Sequence, residues 1–277
     1  MKKSLLFIFF LAAISVVAQK KEKIKGSKLV TVEIKPVDAF ENLDIADNLE
    51  VFFVKGTSAS VEIDADDNLH EIVDISSKGK SLQLSTKKQV TGSKKFTLRI
   101  TFTDDLKLVT LRNEVKASSL IDIDLESITY KCYDDSRLYI NSKSKNFTLF
   151  LDDNSKSEIN CKGEKTILNL SKNSELKALI ASSDIKADLY QKAEAKIEGD
   201  CNNLILRLDN NTNFTGKNLV SKSAEIVTEM NSSASVFVKT AVMISATGKS
   251  EIEFYGDAKV DLQKFTDSAI LKKKVSK

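Results

Sequence analysis

The chain has 277 residues, with 42 basic against 39 acidic side chains, 42% apolar residues, one proline, nine glycines, three cysteines and no tryptophan. Regularly spaced apolar content excludes low-complexity disorder. The near-balance of charge argues against nucleic acid as a partner, because phosphate neutralisation calls for concentrated basic surface.

Residues 1–18 carry Lys2 and Lys3, an apolar run from Leu5 to Val17, and small residues before Gln19. That order predicts a cleaved secretory signal peptide. The run is too short for a spanning helix, which needs about 20 apolar residues. No cysteine follows the cut, so no lipid anchor is expected, and no later segment is long and apolar enough to cross a membrane. Cleavage leaves a mature net charge near +1. The expected address is the periplasm, the cell surface or the medium. Cys132, Cys161 and Cys201 cannot all pair within one chain, so no disulfide framework is expected.

Residues 19–105 read as an N-terminal β-strand region. Period-two alternation at Val30, Val32 and Ile34, at Leu49, Val51 and Phe53, at Val61 and Ile63, at Leu82 and Leu84, and at Leu98, Ile100 and Phe102 predicts strands with one buried face. Turn chemistry breaks them at Lys55-Gly-Thr57, Asp64-Ala-Asp-Asp-Asn68, Ser77-Lys-Gly79 and Thr91-Gly-Ser93. A short helical turn is expected between Asn68 and Ile75. The single histidine, His70, has no partner in sequence and reads as a surface residue.

Residues 106–265 form the repeat region. Phe147-Thr-Leu-Phe-Leu151, Thr166-Ile-Leu-Asn-Leu170, Ile185-Lys-Ala-Asp-Leu189 and Leu204-Ile-Leu-Arg-Leu208 share one pattern, and their central residues lie 19 positions apart. The same interval leads back to Tyr130 and Leu111. Steps of 20, 18 and 18 lead forward to Ile226, Ile244 and Leu262. A second strand per unit is read at Ser136-Arg-Leu-Tyr-Ile140, Ser157-Glu-Ile-Asn-Cys161, Ser174-Glu-Leu-Lys-Ala178, Ser235-Val-Phe-Val238 and Ser250-Glu-Ile-Glu-Phe254, which aligns Cys161 with Ile140. Stacking the units predicts one inward column from Leu111 to Leu262, with Cys132 beside Leu151, Leu170, Leu189 and Leu208. The fold class is therefore all-β, a parallel β-helix with coils of about 19 residues, preceded by irregular strands. Residues 266–277 read as a basic tail containing Lys272-Lys-Lys274.

Asn154, Asn173, Asn211 and Asn231 recur at one corner, with Gly248 one place earlier, and suit a tight left-handed turn. Asp134, Asp135, Asp152, Asp153 and Asp209 fall at or near that corner. Such carboxylates could bind calcium or act as acid and base on polysaccharide. Ser171, Lys172, Tyr190 and Gln191 interrupt the row, so a solvated corner is expected, and no catalytic, cofactor-binding or metal-ligating set is assigned. Outward positions show no aromatic ladder: Lys131, Phe150, Asn169, Asp188, Arg207, Val227 and Ser245 on one strand, Tyr139, Asn160, Lys177, Phe237 and Glu253 on the other.

The succession Asp38-Ala-Phe-Glu-Asn-Leu-Asp-Ile45, Asn48-Leu-Glu-Val-Phe-Phe-Val-Lys-Gly56, Ser60-Val-Glu-Ile-Asp-Ala-Asp-Asp-Asn-Leu69 and Lys80-Ser-Leu-Gln-Leu84 resembles the opening of the bacterial head-GIN-domain family of auto-transporter adhesins, whose Ser/Asp-rich β repeats the later coils also resemble. Asn48-Leu49-Glu50 stands at the head triplet, without its glycine. The resemblance implies adhesion and brings no catalytic residues. The expectation is an exported, non-enzymatic envelope or secreted β-solenoid that contacts an unidentified protein or glycan. The alternatives are a β-helix hydrolase or lyase acting on polysaccharide, or a periplasmic binding or sensing module.

Overall fold

The computed structural model describes residues 21–275; the expected signal peptide lies outside the described residues. About 65% of the chain is strand, and the one helical element among the described residues is a 3-10 turn at Asp67–Ile72, which overlaps the stretch from Asn68 to Ile75 expected to turn. Among the described residues no helix is long and apolar enough to cross a membrane.

Two parallel ladders run along a β-solenoid. Ladder A stacks Ser81–Thr86, Asn42–Ile45, Leu108–Leu111, Ser127–Cys132 and Asn146–Leu151. It continues through the second halves of the long strands Lys156–Leu170, Glu175–Tyr190, Glu194–Asp209, Asn213–Thr228 and Ser233–Ala246 to Lys259–Phe265. Ladder B stacks Phe96–Phe102, Glu50–Lys55, Lys116–Ser119 and Arg137–Ser142, then the first halves of the same long strands, then Glu251–Tyr255 and Ile270–Lys273. The basic tail is thus partly strand, and Lys274 pairs with Glu253 at 2.9 Å.

Alternation sends every second side chain inward, and each inward residue meets its counterpart one coil away. The central column reads Leu82, Leu43, Val109, Tyr130, Leu149, Leu168, Ala187, Leu206, Ile226 and Ile244, all buried. Two expectations need correction. Leu111 pairs with Cys132, not Tyr130, because the coil between them holds 21 residues. Leu262 pairs with Ile244 yet is 49% exposed, since it packs on a coil from one side only.

Ladder B departs from the expected alignment in the same way. Arg137 pairs with Lys156, so Ile140 faces Ile159 and Cys161 faces Ser142. Ser136 therefore stacks with Ser155 rather than Ser157. The inward row continues through Ser174, Ala193, Thr212, Ser232 and Ser250, all buried and all hydroxyl-bearing except Ala193, with Thr212 Oγ1 donating to Ser232 Oγ at 3.0 Å. Each error is a slip of two residues, which leaves every side chain on its own face, so alternation alone cannot detect it.

The uneven period has a local cause. Ile197 stands opposite both Gly216 and Lys217, where the 20-residue coil carries its extra residue. The next coil sheds two residues between Val236 and Ala241. β-bulges confine both changes to ladder B, and ladder A keeps its register there.

The N-terminal strands fold in a spatial order unlike their chain order. Asn42–Ile45 and Glu50–Lys55 lie between the coil of residues 81–102 and the coil of residues 108–119. Antiparallel strands complete this end: Val30–Pro36 on Ser60–Asp66, Ser60–Asp66 on Phe96–Phe102, and Val73–Lys78 on Ser81–Thr86. Val30–Pro36 lacks the expected buried face, since Thr31, Val32, Glu33 and Ile34 are all exposed. Val32 and Ile34 lie opposite Asp64 and Glu62 and are 59% and 61% exposed, while Thr31 and Glu33 turn toward His70. His70 is buried, not a surface residue: Nε2 lies 2.9 Å from Thr31 Oγ1 and Nδ1 lies 3.3 Å from Glu33 Oε2.

A fully buried carboxylate ties the first residues to this end. Asp66 accepts backbone N–H bonds from Lys28 at 3.0 Å, Lys94 at 3.1 Å and Lys95 at 3.0 Å. Burial pushes its pKa up, but these donors outweigh burial and hold it below the usual carboxylate range. A folded-state pKa below the unfolded value means that this stabilisation is complete above about pH 4 and is lost as pH falls through the folded pKa. In urea melts, Asp66→Asn should be less stable than wild type at neutral pH, with the difference shrinking below about pH 4. At the middle of the stack, Leu168→Asp buries an unpaired charge at a position with no exposure. It should cost more than about 4 kcal/mol and abolish the cooperative thermal transition measured by circular dichroism.

Candidate functional site

The chain turns from ladder A into ladder B through a two-residue corner. Its first residue is left-handed in every repeat coil: Asp134 (φ 57°), Asp153 (58°), Lys172 (58°), Gln191 (63°), Asn210 (63°), Met230 (56°) and Gly248 (71°). The expected asparagine column sits one place later, and of its members only Asn211, at 65°, is also left-handed. Asparagine at this second place works through its side chain instead. Asn173 Nδ2 donates to Asn154 Oδ1 and Asn231 Nδ2 to Asn211 Oδ1, both at 3.1 Å.

The corner aspartates are used by the corner itself. The Asp153 carboxylate takes Lys172 Nζ at 2.6 Å and the Asp134 N–H at 3.3 Å, and Asp134 takes the Asn113 N–H at 2.8 Å. Asp152 accepts Ser171 Oγ at 2.7 Å and lies 3.3 Å from Lys172 Nζ. Burial raises the Asp152 pKa, and Ser171, the Asp153 N–H and Lys172 together hold it below its ordinary value. Asp209 pairs in register with Tyr190, which places it three coils, or about 14 Å, from Asp152. Asp135 lies in the asparagine column, its N–H bonded to the Asn113 carbonyl at 3.1 Å. Among the described residues, no three His, Cys, Asp or Glu side chains gather as a metal set.

Two exterior grooves follow from the stacking. The smaller, about 220 Å³, lies on ladder A between Tyr133, Phe150, Asp152, Asn169, Ser171 and Tyr190. Cations already cover its rings: Arg112 lies 5.1 Å from the Tyr133 centroid, Lys131 5.6 Å from Phe150, and Arg207 5.8 Å from Tyr190.

The larger groove, about 520 Å³, crosses ladder B over the strands from Lys116–Ser119 to Glu194–Asp209. Two outward columns line it. One runs Ser118, Tyr139, Glu158, Lys177 and Lys196, and the other runs Asn141, Asn160, Leu179 and Glu198. The expected outward series placed Asn160 beside Tyr139; the register places Glu158 there. Asn160 Nδ2 donates to Asn141 Oδ1 at 2.7 Å. Lys177 lies 3.3 Å from Glu158, and Lys196 lies 3.0 Å from Glu198. Lys196 holds the Glu198 pKa below its ordinary value, with help from Asn218. Gly199 follows at φ 116° and pairs with Ile180, whose carbonyl oxygen would lie 2.1 Å from any added Cβ. Only glycine allows that close approach, and the register shift beside it closes the regular part of the groove.

A family profile described as "Putative auto-transporter adhesin, head GIN domain" matches residues 39–258. The chain belongs to the head-GIN-domain family. Three solved structures share its fold. One, titled a putative lipid binding protein from Parabacteroides distasonis ATCC 8503, has a TM-score of 0.65 at 11% identity and covers 91% of this chain and 99% of its own. A putative adhesin from Parabacteroides merdae ATCC 43184 scores 0.58 at 14% identity, covering 92% and 98%. A putative adhesin from Parabacteroides distasonis ATCC 8503 scores 0.57 at 16% identity, covering 91% and 100%. No curated protein matches the chain.

In this head-GIN chain the head triplet Asn48-Leu49-Glu50 begins at a corner of the same kind, with Asp47 left-handed at φ 70°. Asn48 helps line a concavity of about 350 Å³ with two carboxylates, Asp47 and Glu114, of which Asp47 is already engaged: it pairs with Lys21 and accepts the Thr86 N–H at 2.8 Å.

The cysteines are free and buried. Burial pushes the Cys132 and Cys201 thiols up to about 12 and Cys161 up to about 11. The thiolate is the reactive form, so all three stay inert near neutral pH. A thiol-reactive chromophore should label none of them in the folded protein at pH 8 and all three after denaturation.

Proposed function

We propose that this head-GIN-domain protein is exported and makes non-enzymatic contact with a surface or envelope component through the exterior of its solenoid. The observation that carries this reading is the ladder B groove, whose exposed side chains are held in fixed columns on a continuously hydrogen-bonded stack. Binding residues on a rigid scaffold lose little freedom when a partner docks. The adhesin label of the family supports the same reading, as does the sequence of residues 1–18.

A polysaccharide-cleaving enzyme is the second reading, since Glu158, Glu198 and Tyr139 line one groove. Hydrolysis of a glycosidic bond needs one carboxyl group that keeps its proton near neutral pH. Lys196 does the reverse to Glu198, and Glu158 is paired with Lys177.

Protease treatment of intact cells producing the full chain, with mass spectrometry of its N-terminus, tests export and address together. The expected result is a chain beginning at Gln19 in the envelope or medium. An uncut chain retained in the cytosol would overturn the reading.

A further inference from the structure

We propose that the ladder B groove binds a neutral glycan chain lying along the solenoid axis. This deepens the surface-contact reading and rests on it.

The groove presents both kinds of contact that a sugar ring uses. Tyr139 is 39% exposed, and among the described residues no cation covers its ring, unlike Tyr133, Phe150 and Tyr190. An open aromatic face can take the C–H side of a pyranose by stacking. Leu179, 54% exposed, adds a second apolar contact two coils further on, in the neighbouring column. Between them the bond from Asn160 Nδ2 to Asn141 Oδ1 fixes two planar amides, leaving the Asn141 amide N–H groups and the Asn160 carbonyl oxygen for sugar hydroxyls.

Charge favours a neutral ligand. Glu158 with Lys177, and Glu198 with Lys196, form two compensated pairs along the groove. A uronic acid chain would meet both carboxylates and a cationic chain both lysines, whereas uncharged hydroxyls can bond to either without breaking a pair. Size agrees. The column from Tyr139 to Lys196 spans three coil steps, about 14 Å, room for about three pyranose units. The volume of about 520 Å³ lies in the range of small-ligand sites.

Isothermal titration of the mature chain with neutral tri- to hexasaccharides of β-1,4-linked glucose, N-acetylglucosamine, mannose and xylose tests this, with oligogalacturonate as the anionic arm. At least one neutral series should bind with a Kd of about 1 mM or tighter, with little gain beyond three or four units. Tyr139→Ala should weaken it about tenfold, Leu179→Asp should also weaken it, and Phe150→Ala in the other groove should leave it unchanged. Tyr139 and Leu179 are exposed, so their variants should melt like wild type. Binding that survives both groove variants, preference for oligogalacturonate, or no neutral binding at about 1 mM would overturn the glycan assignment. Those results leave the surface-contact reading to the proteolysis experiment. Release of new reducing ends would keep the site and overturn the non-enzymatic reading.

Discussion

Each coil of this protein is too thin to bury its own apolar face, so every inward side chain must be covered by the coil on either side. Parallel in-register pairing is the arrangement that does this while satisfying the backbone. The column from Leu82 to Ile244 is the visible result. Where a neighbour exists on one side only, as at Val260, Leu262 and Phe265, the same inward direction leaves apolar side chains exposed. The length changes at Gly216 and Lys217 and after Val236 fall in ladder B and leave that column in register, while ladder A carries an irregularity at its last coil, where Gln263 is the extra residue just past the pair of Ile244 with Leu262.

The same constraint governs the exterior. Outward side chains stack at the coil spacing of about 4.8 Å, so neighbouring coils must not oppose like charges without relief. Opposite charges meet across coils at Lys156 with Glu175, Lys172 with Asp153, and Lys274 with Glu253. Lys177 and Lys196 are neighbours in one column, and each turns to a different acid. Exposed pairs of this kind contribute about 1 kcal/mol or less each; their larger effect is to hold the surface near neutrality and fix its side chains in rows. A groove on such a surface inherits that order, which makes the balanced floor beneath Tyr139 and Leu179 suited to a repeating, uncharged polymer.

Most of the fold was legible because burial imposes a periodicity that survives in one dimension. The coil length, the strand alternation and the inward fate of Cys132 beside Leu151 all follow from it. What periodicity cannot register is a slip by an even number of residues. Leu111, Ser157 and Cys161 stand on the expected face but in a different row, because a shift of two preserves facing, whereas Ser235 lies three places beyond Ser232, the residue stacked on Ser250, and faces outward. The candidate groove was hidden by the same slip: with Asn160 set beside Tyr139, neither the asparagine pair nor the Glu158 to Lys177 pair could be seen. At the corner, the aspartates were legible as a cluster but not as an occupied one, since the lysine that neutralises Asp152 and Asp153 comes from the next coil.

By itself the sequence determined the class of fold, the coil length and the near-neutral charge, because these depend on composition and local spacing. Tertiary structure alone decided the spatial order of the N-terminal strands, the outward turn of Val32 and Ile34, the burial of His70 and the convergence of Tyr139, Asn141, Asn160 and Leu179 on one groove. Those outcomes depend on which strand lies beside which, and strand pairing over long separations is set by the burial available in the assembled stack rather than by any local pattern.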